Sequence, residues 1–250
     1  MAIQKTTGIV LRRHDLRETS LLISLYTRDY GKINGLIRGV RGPRAPHGSG
    51  GLELFAHDEI VFYERKQSDI YTISQCDLID FFFPVRVDLE RLAYASYMVE
   101  LLDSVTVLSD SNRGIFDLLL NSLRFLEERM SAKRVARVFE IKLLALLGIM
   151  PVLKACVQCQ KAYATTARFS LRRGGIVCAE CQKKEEPTLP ILPGSVKFIE
   201  HVKELSFDKV SRIKVSHEVG RQVEMILRKF LDFHIERRMK TLDFLKEIGS

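Results

Sequence analysis

The sequence predicts an α+β protein: a small five-stranded barrel (residues 1–82) followed by an α-helical bundle (83–250) that carries a four-cysteine zinc ribbon at about 154–186. Three observations support this prediction. Short runs of β-branched and aromatic residues fill the first part of the chain, apolar spacing becomes helical after Pro84, and two CxxC pairs interrupt the helical part. A chain of 250 residues exceeds the roughly 100–200 residues of one ordinary domain, which favours two domains or one domain with an insertion.

The predicted barrel has five strand-like runs separated by turn signals. They are TTGIVLRR, TSLLISLYT, KINGLIRGV, LELFAHDEIVFYER and DIYTISQCDLID. Residues 28–31 and 66–69 fit the tight turns of two hairpins, and Gly31 supplies the positive φ that the first turn requires. Cys76 lies within a strand run, where an isolated cysteine is most often a core residue.

A loop rich in glycine and proline is predicted between the third and fourth runs, over residues 39–51. A phosphate-cradling loop is the sharper alternative for this stretch. The segment contains no GxxxxGK, and the Gly31-Lys32 pair lacks the upstream glycine of that motif. Nucleotide hydrolysis therefore has no support in the sequence.

Helical periodicity predicts helices over about 87–102, 115–130 and 135–149. The apolar segment 142–149 is expected to be the most buried helix of the bundle. Prolines in PTLPILPGS prevent helix formation up to Ser195, which is expected to cap the next helix. A last helix is predicted to begin after Ser216.

The formal net charge is +8, and it is unevenly distributed. Residues 1–50 hold nine Lys or Arg and three acids, whereas residues 51–110 hold four basic and twelve acidic residues. A basic N-terminal segment favours a polyanionic partner, either nucleic acid or an acidic membrane surface, although it is also compatible with solubility alone. The N-terminus does not resemble a signal peptide, and the longest apolar run, 143–153, is too short to span a bilayer. A cytoplasmic location without membrane contact is expected.

The cysteine spacing predicts one structural Zn²⁺ held by Cys156, Cys159, Cys178 and Cys181. Eighteen residues separate the two CxxC pairs, and four thiolates complete a closed tetrahedral site. The residues between the pairs alternate like two strands joined at Gly174-Gly175. Disulfides are disfavoured in the cytosol, and a redox CxxC normally occurs once, at the start of a helix.

No catalytic constellation is evident, so the chain is predicted not to be an enzyme. A catalytic zinc keeps one position open and usually has a histidine or carboxylate ligand, yet no histidine lies between Ile149 and Lys197. His57-Asp58-Glu59 matches half of a zinc deaminase signature. The cysteine pairs begin about a hundred residues later, too far away for that motif.

Several motifs in a fixed order resemble the bacterial RecO family of recombination mediators. They are GIVL at 8–11, ETS at 18–20, YT at 26–27 with YGK at 30–32, RGVR at 38–41 and LELF at 52–55. A helical domain and a four-cysteine insert ending in GGIVCAEC follow, so the resemblance covers essentially the whole chain. Some members of the family lack the cysteines, which fits a structural role for the zinc.

The resemblance implies an N-terminal OB-fold and a non-enzymatic activity in bacterial cytoplasm, associated with the nucleoid. RecO proteins bind single- and double-stranded DNA and anneal complementary strands. With RecR and the C-terminal tail of the single-stranded DNA-binding protein SSB, they help to load RecA. An OB barrel offers a basic groove to phosphates. The candidate DNA-binding residues are Arg12, Arg13, Lys32, Arg38, Arg41 and Arg44 in the barrel, with Arg134 and Arg137 on a second, helical surface.

Two rival interpretations stay open from sequence. One is a zinc-ribbon module of the transcription or translation machinery, which would bind nucleic acid without annealing it. The other is an enzyme on a basic scaffold, which would require a polar pocket with perturbed titratable groups. Nothing in the sequence points to such a pocket.

Overall fold

The computed structural model of the chain describes residues 2–16, 19–40, 51–63, 69–128, 130–162, 167–182, 187–235 and 239–248. The chain divides into two compact units. The first comprises Met1–Ala136 with Met239–Ser250, and the second comprises Arg137–Arg238. The predicted domain boundary at residue 82 instead separates the barrel from all of the helices. That boundary stays a prediction.

The first unit is built on a closed barrel in the order β1-β2-β3-β5-β4. Its strands are β1 (Ile3–Leu16), β2 (Ser20–Thr27), β3 (Gly31–Arg38), β4 (His57–Tyr63) and β5 (Ile70–Asp80). All neighbours are antiparallel except β3 and β5, which pair in parallel. The predicted five-stranded barrel is confirmed, and this strand order is that of an OB-fold.

Inward-facing aliphatic residues from every strand fill the barrel. Val10, Ile23, Ile33, Ile60 and Ile73 are each at most 3% exposed. Alternate side chains of a strand face opposite sides, so one face of each strand can bury its apolar residues while the other meets solvent. Cys76 is 1% exposed within the same cluster, which confirms its predicted place in the core.

The first predicted hairpin turn is also confirmed. Gly31 has φ of 65°, and the Thr27 hydroxyl donates to the Gly31 carbonyl oxygen at 2.8 Å. The Tyr30 N–H donates to the same hydroxyl at 3.1 Å. The second predicted turn, 66–69, lies almost entirely outside the described residues.

The prediction of a continuous strand from Leu52 is wrong, because β4 begins only at His57. Leu52 and Phe55 have φ of 68° and 52°, values incompatible with a strand. Their side chains are nevertheless 1% and 0% exposed, so this turn carries two residues into the core. The Asp58 carboxylate accepts from the Leu52 N–H at 3.1 Å, and burial raises the pKa of Asp58 to about 6.

Helices and a second, small sheet make up the remaining described structure. The helices are α1 (Phe83–Arg86), α2 (Leu89–Val105), α3 (Arg113–Glu127), α4 (Ala132–Leu146), α5 (Pro193–Glu204), α6 (Phe207–Ser211), α7 (His217–His234) and α8 (Lys240–Ile248). The strands of the second sheet are β6 (Arg168–Ser170), β7 (Gly175–Val177) and β8 (Leu189–Pro190), in the order β7-β6-β8. Among the described residues, no helix is both long and apolar enough to cross a membrane.

Two helices of the first unit, α2 and α3, start at side-chain caps. Asp88 accepts from the Arg91 N–H at the start of α2, and Asn112 accepts from the Ile115 N–H at the start of α3. The sequence predicts α7 as the last helix, so α8 is an additional element. Its first N–H groups, those of Lys240 and Thr241, donate to the Glu100 carboxylate at 3.0 and 2.9 Å.

In the second unit, the prediction for Ser216 is confirmed and that for Ser195 is wrong. The Ser216 hydroxyl accepts from the Val219 N–H at 3.3 Å at the start of α7. By contrast, α5 already begins at Pro193, because the first helical turn needs no N–H from a proline. Ser195 is fully buried, and its hydroxyl donates to Gln222 at 2.6 Å.

The most buried part of α4 lies earlier than predicted. Its buried positions fall between Ala132 and Leu144, whereas Leu146 and Ile149 are 40% and 39% exposed. The apolar run 142–149 extends past the end of the helix at Leu146, so its last residues no longer share the buried faces.

The close approach of the β2–β3 turn to the segment before α3 gives a stability prediction. A Cβ on Gly31 would lie 2.1 Å from the Asp110 carbonyl oxygen, whereas a Cβ on Gly39, whose φ is 73°, would meet no atom within 4 Å. Gly39→Ala is therefore expected to lower the free energy of unfolding by about 1 kcal/mol through backbone strain alone. Gly31→Ala adds the clash with Asp110 and is expected to lower it by about 3 kcal/mol. Urea unfolding of both variants measures the difference. Equal losses would show that the turn shifts freely away from Asp110.

Candidate metal centre and nucleic-acid interface

Two backbone turns in the second unit present the four cysteines. The first turn holds Cys156 and Cys159, with the Gln160 N–H donating to the Cys156 carbonyl oxygen at 2.9 Å. The second follows β7 directly, and the Cys181 and Gln182 N–H groups both donate to the Cys178 carbonyl oxygen at 3.1 Å. Each CxxC thus folds back so that both of its sulfurs point to one side.

The four sulfur atoms form one cluster. All lie within 4.8 Å of one another, and the sulfurs of Cys159 and Cys178 are 3.7 Å apart. Tetrahedral coordination with metal–sulfur bonds of about 2.3 Å requires sulfur–sulfur distances of about 3.8 Å. The predicted cysteines therefore come together with the donor set and spacing of a single thiolate-bound metal ion.

The backbone around the cluster favours the thiolate form of one ligand. Burial raises the pKa of the Cys156 thiol, but N–H groups of Cys159, Cys178 and Gln158 outweigh burial and lower that pKa to about 6. The neighbouring Cys178 has the opposite effect on Cys181 and raises its pKa to about 12. Four thiolates at this spacing repel one another, so a bound cation is what would allow all of them to ionise together.

A β-hairpin holds the two turns in place, as predicted. Strands β6 and β7 pair from Arg168↔Val177 to Ser170↔Gly175, and Gly174 has φ of 66° in the connecting turn. The Val157 N–H donates to the Ile176 carbonyl oxygen at 2.9 Å, which ties the first cysteine turn to the hairpin. A Cβ on Gly175 would lie 2.5 Å from the Val152 carbonyl oxygen, so this close approach requires glycine.

Three of the predicted DNA-binding residues are solvent-accessible on the barrel. The Arg12 side chain is 42% exposed, and its Nε lies 2.9 Å from Asp103 Oδ2. The Arg13 side chain is 36% exposed and is paired with Glu53. Arg38 is exposed at the end of β3, opposite Ser20 of β2. Arg41 and Arg44 lie outside the described residues.

Lys32 is placed differently. It is 8% exposed, and its ammonium group donates to the carbonyl oxygens of Asp103 at 2.6 Å and Thr106 at 3.2 Å. Its Nζ is also 2.8 Å from Asp103 Oδ1. The ammonium group thus lies at the C-terminal end of α2, where the helix dipole favours a cation. This arrangement turns the charge of Lys32 away from any phosphate at the barrel surface.

The two helical candidates belong to different compact units, although both are on α4. Burial lowers the pKa of the half-buried Arg134 in the first unit. In the second unit, Arg137 is 5% exposed, and its Nη2 lies 2.6 Å from Glu140 Oε1. Neither residue presents a fully exposed guanidinium group.

Asp103 is the residue that sequence reasoning missed. Its carboxylate forms ion pairs with both Arg12 and Lys32, and its side chain is only 2% exposed. The available signal was an acid that directly follows the buried residues Leu101 and Leu102, two positions before the end of α2. A buried carboxylate requires cations, but the sequence does not show which cations reach it.

Comparison with known proteins covers nearly the whole chain. Residues 1–82 match the family model described as Recombination protein O N terminal, and residues 86–243 match Recombination protein O C terminal. The chain belongs to the RecO family. This confirms the resemblance found in the sequence, and the five-stranded barrel is the OB-fold of the RecO N-terminal domain.

Full-length relatives agree with this assignment. The DNA repair protein RecO of Moorella thermoacetica is 33% identical over 245 residues, 97% of this chain and 90% of the relative. That of Pelotomaculum thermopropionicum is 33% identical over 250 residues, 100% of this chain and 96% of the relative. The RecO protein of Caldicellulosiruptor saccharolyticus is 33% identical over 248 residues, 99% of this chain and 100% of the relative. A match over both RecO domains does not favour an isolated zinc-ribbon module.

The cysteine cluster gives a prediction about metal content. Cys156 is 2% exposed, and Cys156→Ser removes its sulfur from the cluster. The purified protein is therefore expected to lose most of its bound metal and to melt at a lower temperature, since binding energy in such sites is folding energy. Elemental analysis by mass spectrometry and thermal melting measure the two effects.

Cys76→Ala is the matched control, because Cys76 is a buried cysteine of the barrel core, outside the cluster. It is expected to destabilise the barrel while the protein keeps its full metal content. Unchanged metal content in Cys156→Ser would contradict the four-thiolate site.

Proposed function

We propose that this protein is a non-enzymatic mediator of DNA repair by recombination. It binds single- and double-stranded DNA, anneals complementary strands, and helps to load RecA onto DNA coated with SSB, together with RecR. The observation that carries the proposal is the match to both RecO domains along the chain, joined to an OB barrel with arginines on its surface. We place this activity in the bacterial cytoplasm, at the nucleoid.

The proposed DNA surface includes one end of the barrel and extends from there along β1. OB-folds bind single strands over the face of strands 2 and 3 and the adjoining loops. Ser20 pairs with both Leu16 of β1 and Arg38 of β3, so Arg38 lies beside the β1–β2 connection. The chain leaves the barrel at the same end, where the Val40 N–H donates to the Thr19 carbonyl oxygen at 3.0 Å. Arg41 and Arg44 follow directly in the sequence, and Arg12 and Arg13, which lie further along β1 opposite Ser24 and Ile23, complete the proposed cationic set.

Phosphate contacts supply most of the binding energy in this proposal. Tyr26 and Tyr30 are the aromatic residues nearest to the basic segment in sequence, but Tyr26 is fully buried. The Tyr30 ring packs edge-on against Phe62 at 5.2 Å, and its hydroxyl donates to Gln4 at 2.6 Å. Neither ring is presented for base stacking, so we expect strong salt dependence and little sequence preference.

Annealing follows from the same electrostatics. Two DNA strands repel each other through their phosphates, and a surface that neutralises part of both charges lowers this repulsion. Base pairing then supplies the driving force. The process requires no nucleotide hydrolysis, in keeping with the lack of a phosphate-binding loop motif in the sequence.

We propose that the metal is one structural Zn²⁺. Zinc favours four-coordinate thiolate sites of this kind, in which no position stays open for a substrate. Cys156, Cys159, Cys178 and Cys181 would hold it and keep the β6–β7 hairpin folded. The ion takes no part in the proposed DNA chemistry.

A cleft in the second unit suits the C-terminal tail of SSB, which is acidic and ends in apolar residues. The cleft has a volume of about 440 Å³ and is lined by Phe198, Leu205, Ile213 and Val219, with Lys197 and Lys214 among its lining residues. Both lysines are exposed. An apolar wall beside two cations matches the chemistry of such a tail, and the N-terminal end of α7 at Ser216 adds a positive dipole.

The first prediction of this proposal concerns Arg38. The purified protein is expected to accelerate annealing of complementary oligonucleotides without ATP, on naked strands and on strands coated with SSB. Arg38→Ala is expected to weaken DNA binding by about three- to tenfold and to reduce the salt slope by about one. Fluorescence anisotropy over a salt series measures both quantities.

Arg28→Ala is the matched control, because Arg28 is also exposed but follows β2 at the opposite end of the barrel. It is expected to bind DNA like the unaltered protein. DNA binding without faster annealing would overturn the mediator proposal and favour the nucleic-acid-binding module instead.

The second prediction concerns the cleft. Lys214→Ala is expected to weaken binding of a labelled peptide of the SSB tail several-fold, because it removes one of the two cations at the apolar wall. Lys209→Ala, which removes an exposed lysine of α6 that does not line the cleft, is expected to leave peptide binding unchanged. Equal effects of the two changes would mean that the tail responds only to net charge.

A further inference from the structure

The Asp103 carboxylate lies between two cations of very different exposure. One oxygen, Oδ2, is 2.9 Å from Arg12 Nε, and the other, Oδ1, is 2.8 Å from Lys32 Nζ. The side chain of Asp103 is 2% exposed, that of Lys32 is 10% exposed and that of Arg12 is 42% exposed. Asp103 thus joins a cation of the interior to a cation of the surface.

Lys32 does not depend on Asp103 Oδ1 alone. Its ammonium group also donates to the carbonyl oxygens of Asp103 and Thr106, at 2.6 and 3.2 Å. The backbone around it is fixed too, because the Ser109 N–H donates to the Lys32 carbonyl oxygen at 2.9 Å. Lys32 and the end of α2 therefore form a rigid base that holds the carboxylate in place beneath Arg12.

We infer that Asp103 is a positioning residue for DNA binding, which holds the Arg12 guanidinium group in the orientation that receives a phosphate. This inference rests on the proposed function. The ion pair is made through Nε, so the terminal nitrogens Nη1 and Nη2 keep their donors for a phosphate oxygen pair. Nε and Oδ2 are close without the alignment of a hydrogen bond, so the attraction that orients Arg12 is Coulombic.

Removal of the Asp103 charge has two effects of opposite sign. It makes the surface more positive, which favours DNA, but this gain is screened over about 8 Å at physiological salt. It also releases a long side chain that must then be ordered at each binding event, a cost equivalent to about a two- to tenfold loss of affinity. At moderate salt the affinity lost by ordering the Arg12 side chain exceeds the affinity gained from the extra positive charge. The Asp103 carboxylate therefore strengthens DNA binding despite its negative charge.

The test is a double-mutant cycle on the full chain with a labelled single-stranded oligonucleotide at moderate salt. Asp103→Asn keeps the size of the side chain and is expected to weaken binding by about two- to tenfold. In an Arg12→Ala background the same change is expected to leave affinity unchanged or slightly higher, because only the screened gain in positive charge remains. Glu59→Gln is the matched control, since it removes a barrel acid that pairs with Lys5 at 2.7 Å and is not near Arg12 in the strand register. It is expected to leave affinity unchanged.

Arg12→Lys tests the same point without altering the buried acid. A lysine has one cationic group, which Asp103 would engage, so this variant is expected to bind DNA nearly as weakly as Arg12→Ala. Arg12→Lys can be measured even where thermal melting shows that Asp103→Asn is poorly folded.

Three results would overturn the inference. They are affinity that stays equal or rises in folded Asp103→Asn, an equal loss for that change in the Arg12→Ala background, and full affinity in Arg12→Lys. Failure of the proposed function would look different, because the unaltered protein itself would then bind no DNA.

Discussion

The barrel depends on its longest strand, β1, which pairs with β4 along its first half and with β2 along its second half. Residues Ile3 to Ile9 of β1 pair with β4, and residues Gly8 to Leu16 pair with β2, so the two halves of β1 serve different neighbours. The register shifts between Val10 and Arg12, and such a bulge bends a strand and increases its twist. Without this bend, a 14-residue strand would run past its partners and leave the sheet with open edges.

The same bulge connects the fold with the proposed DNA surface. Before it, Ile9 and Val10 are fully buried, and after it Arg12 and Arg13 reach solvent. Arg12 nevertheless lies close to the end of α2, where it forms an ion pair with Asp103. Core packing and the placement of charge thus follow from one irregularity in the hydrogen-bond ladder. In the second unit, the comparable constraint is the sulfur cluster, which a short hairpin and two turns bring together.

Local patterns were sufficient where the physical cause is local. Four of the five strand runs, the Gly31 turn, the helix start after Ser216 and the clustering of the two CxxC pairs follow from local sequence patterns, and the described structure agrees with each of them. Tertiary contacts decided the other cases. Ser195 finds a partner in Gln222, which lies 27 positions away, and this separation leaves no pattern in a single sequence.

Lys32 and the turn at Leu52 show a related limit for the candidate site. A lysine after a hairpin glycine is expected to be a surface cation. The ammonium group of Lys32 instead donates to the carbonyl oxygen of Asp103, 71 positions later at the end of α2. The alternation in LELFAHDEI resembles a strand, but the loop preceding β4 carries two of these apolar residues into the barrel through positive φ angles. Charge and hydropathy indicate which residues need partners, and the topology decides which partners they meet.

The position of α8 has a consequence for biosynthesis. The first unit is made of two separated stretches of chain, and everything in the second unit is translated between them. Glu100 receives the N–H groups of Lys240 and Thr241, and Leu242 becomes buried, only after the ribosome has produced residues 137–238. The barrel therefore emerges early, but its unit is completed last, when α8 packs against α2.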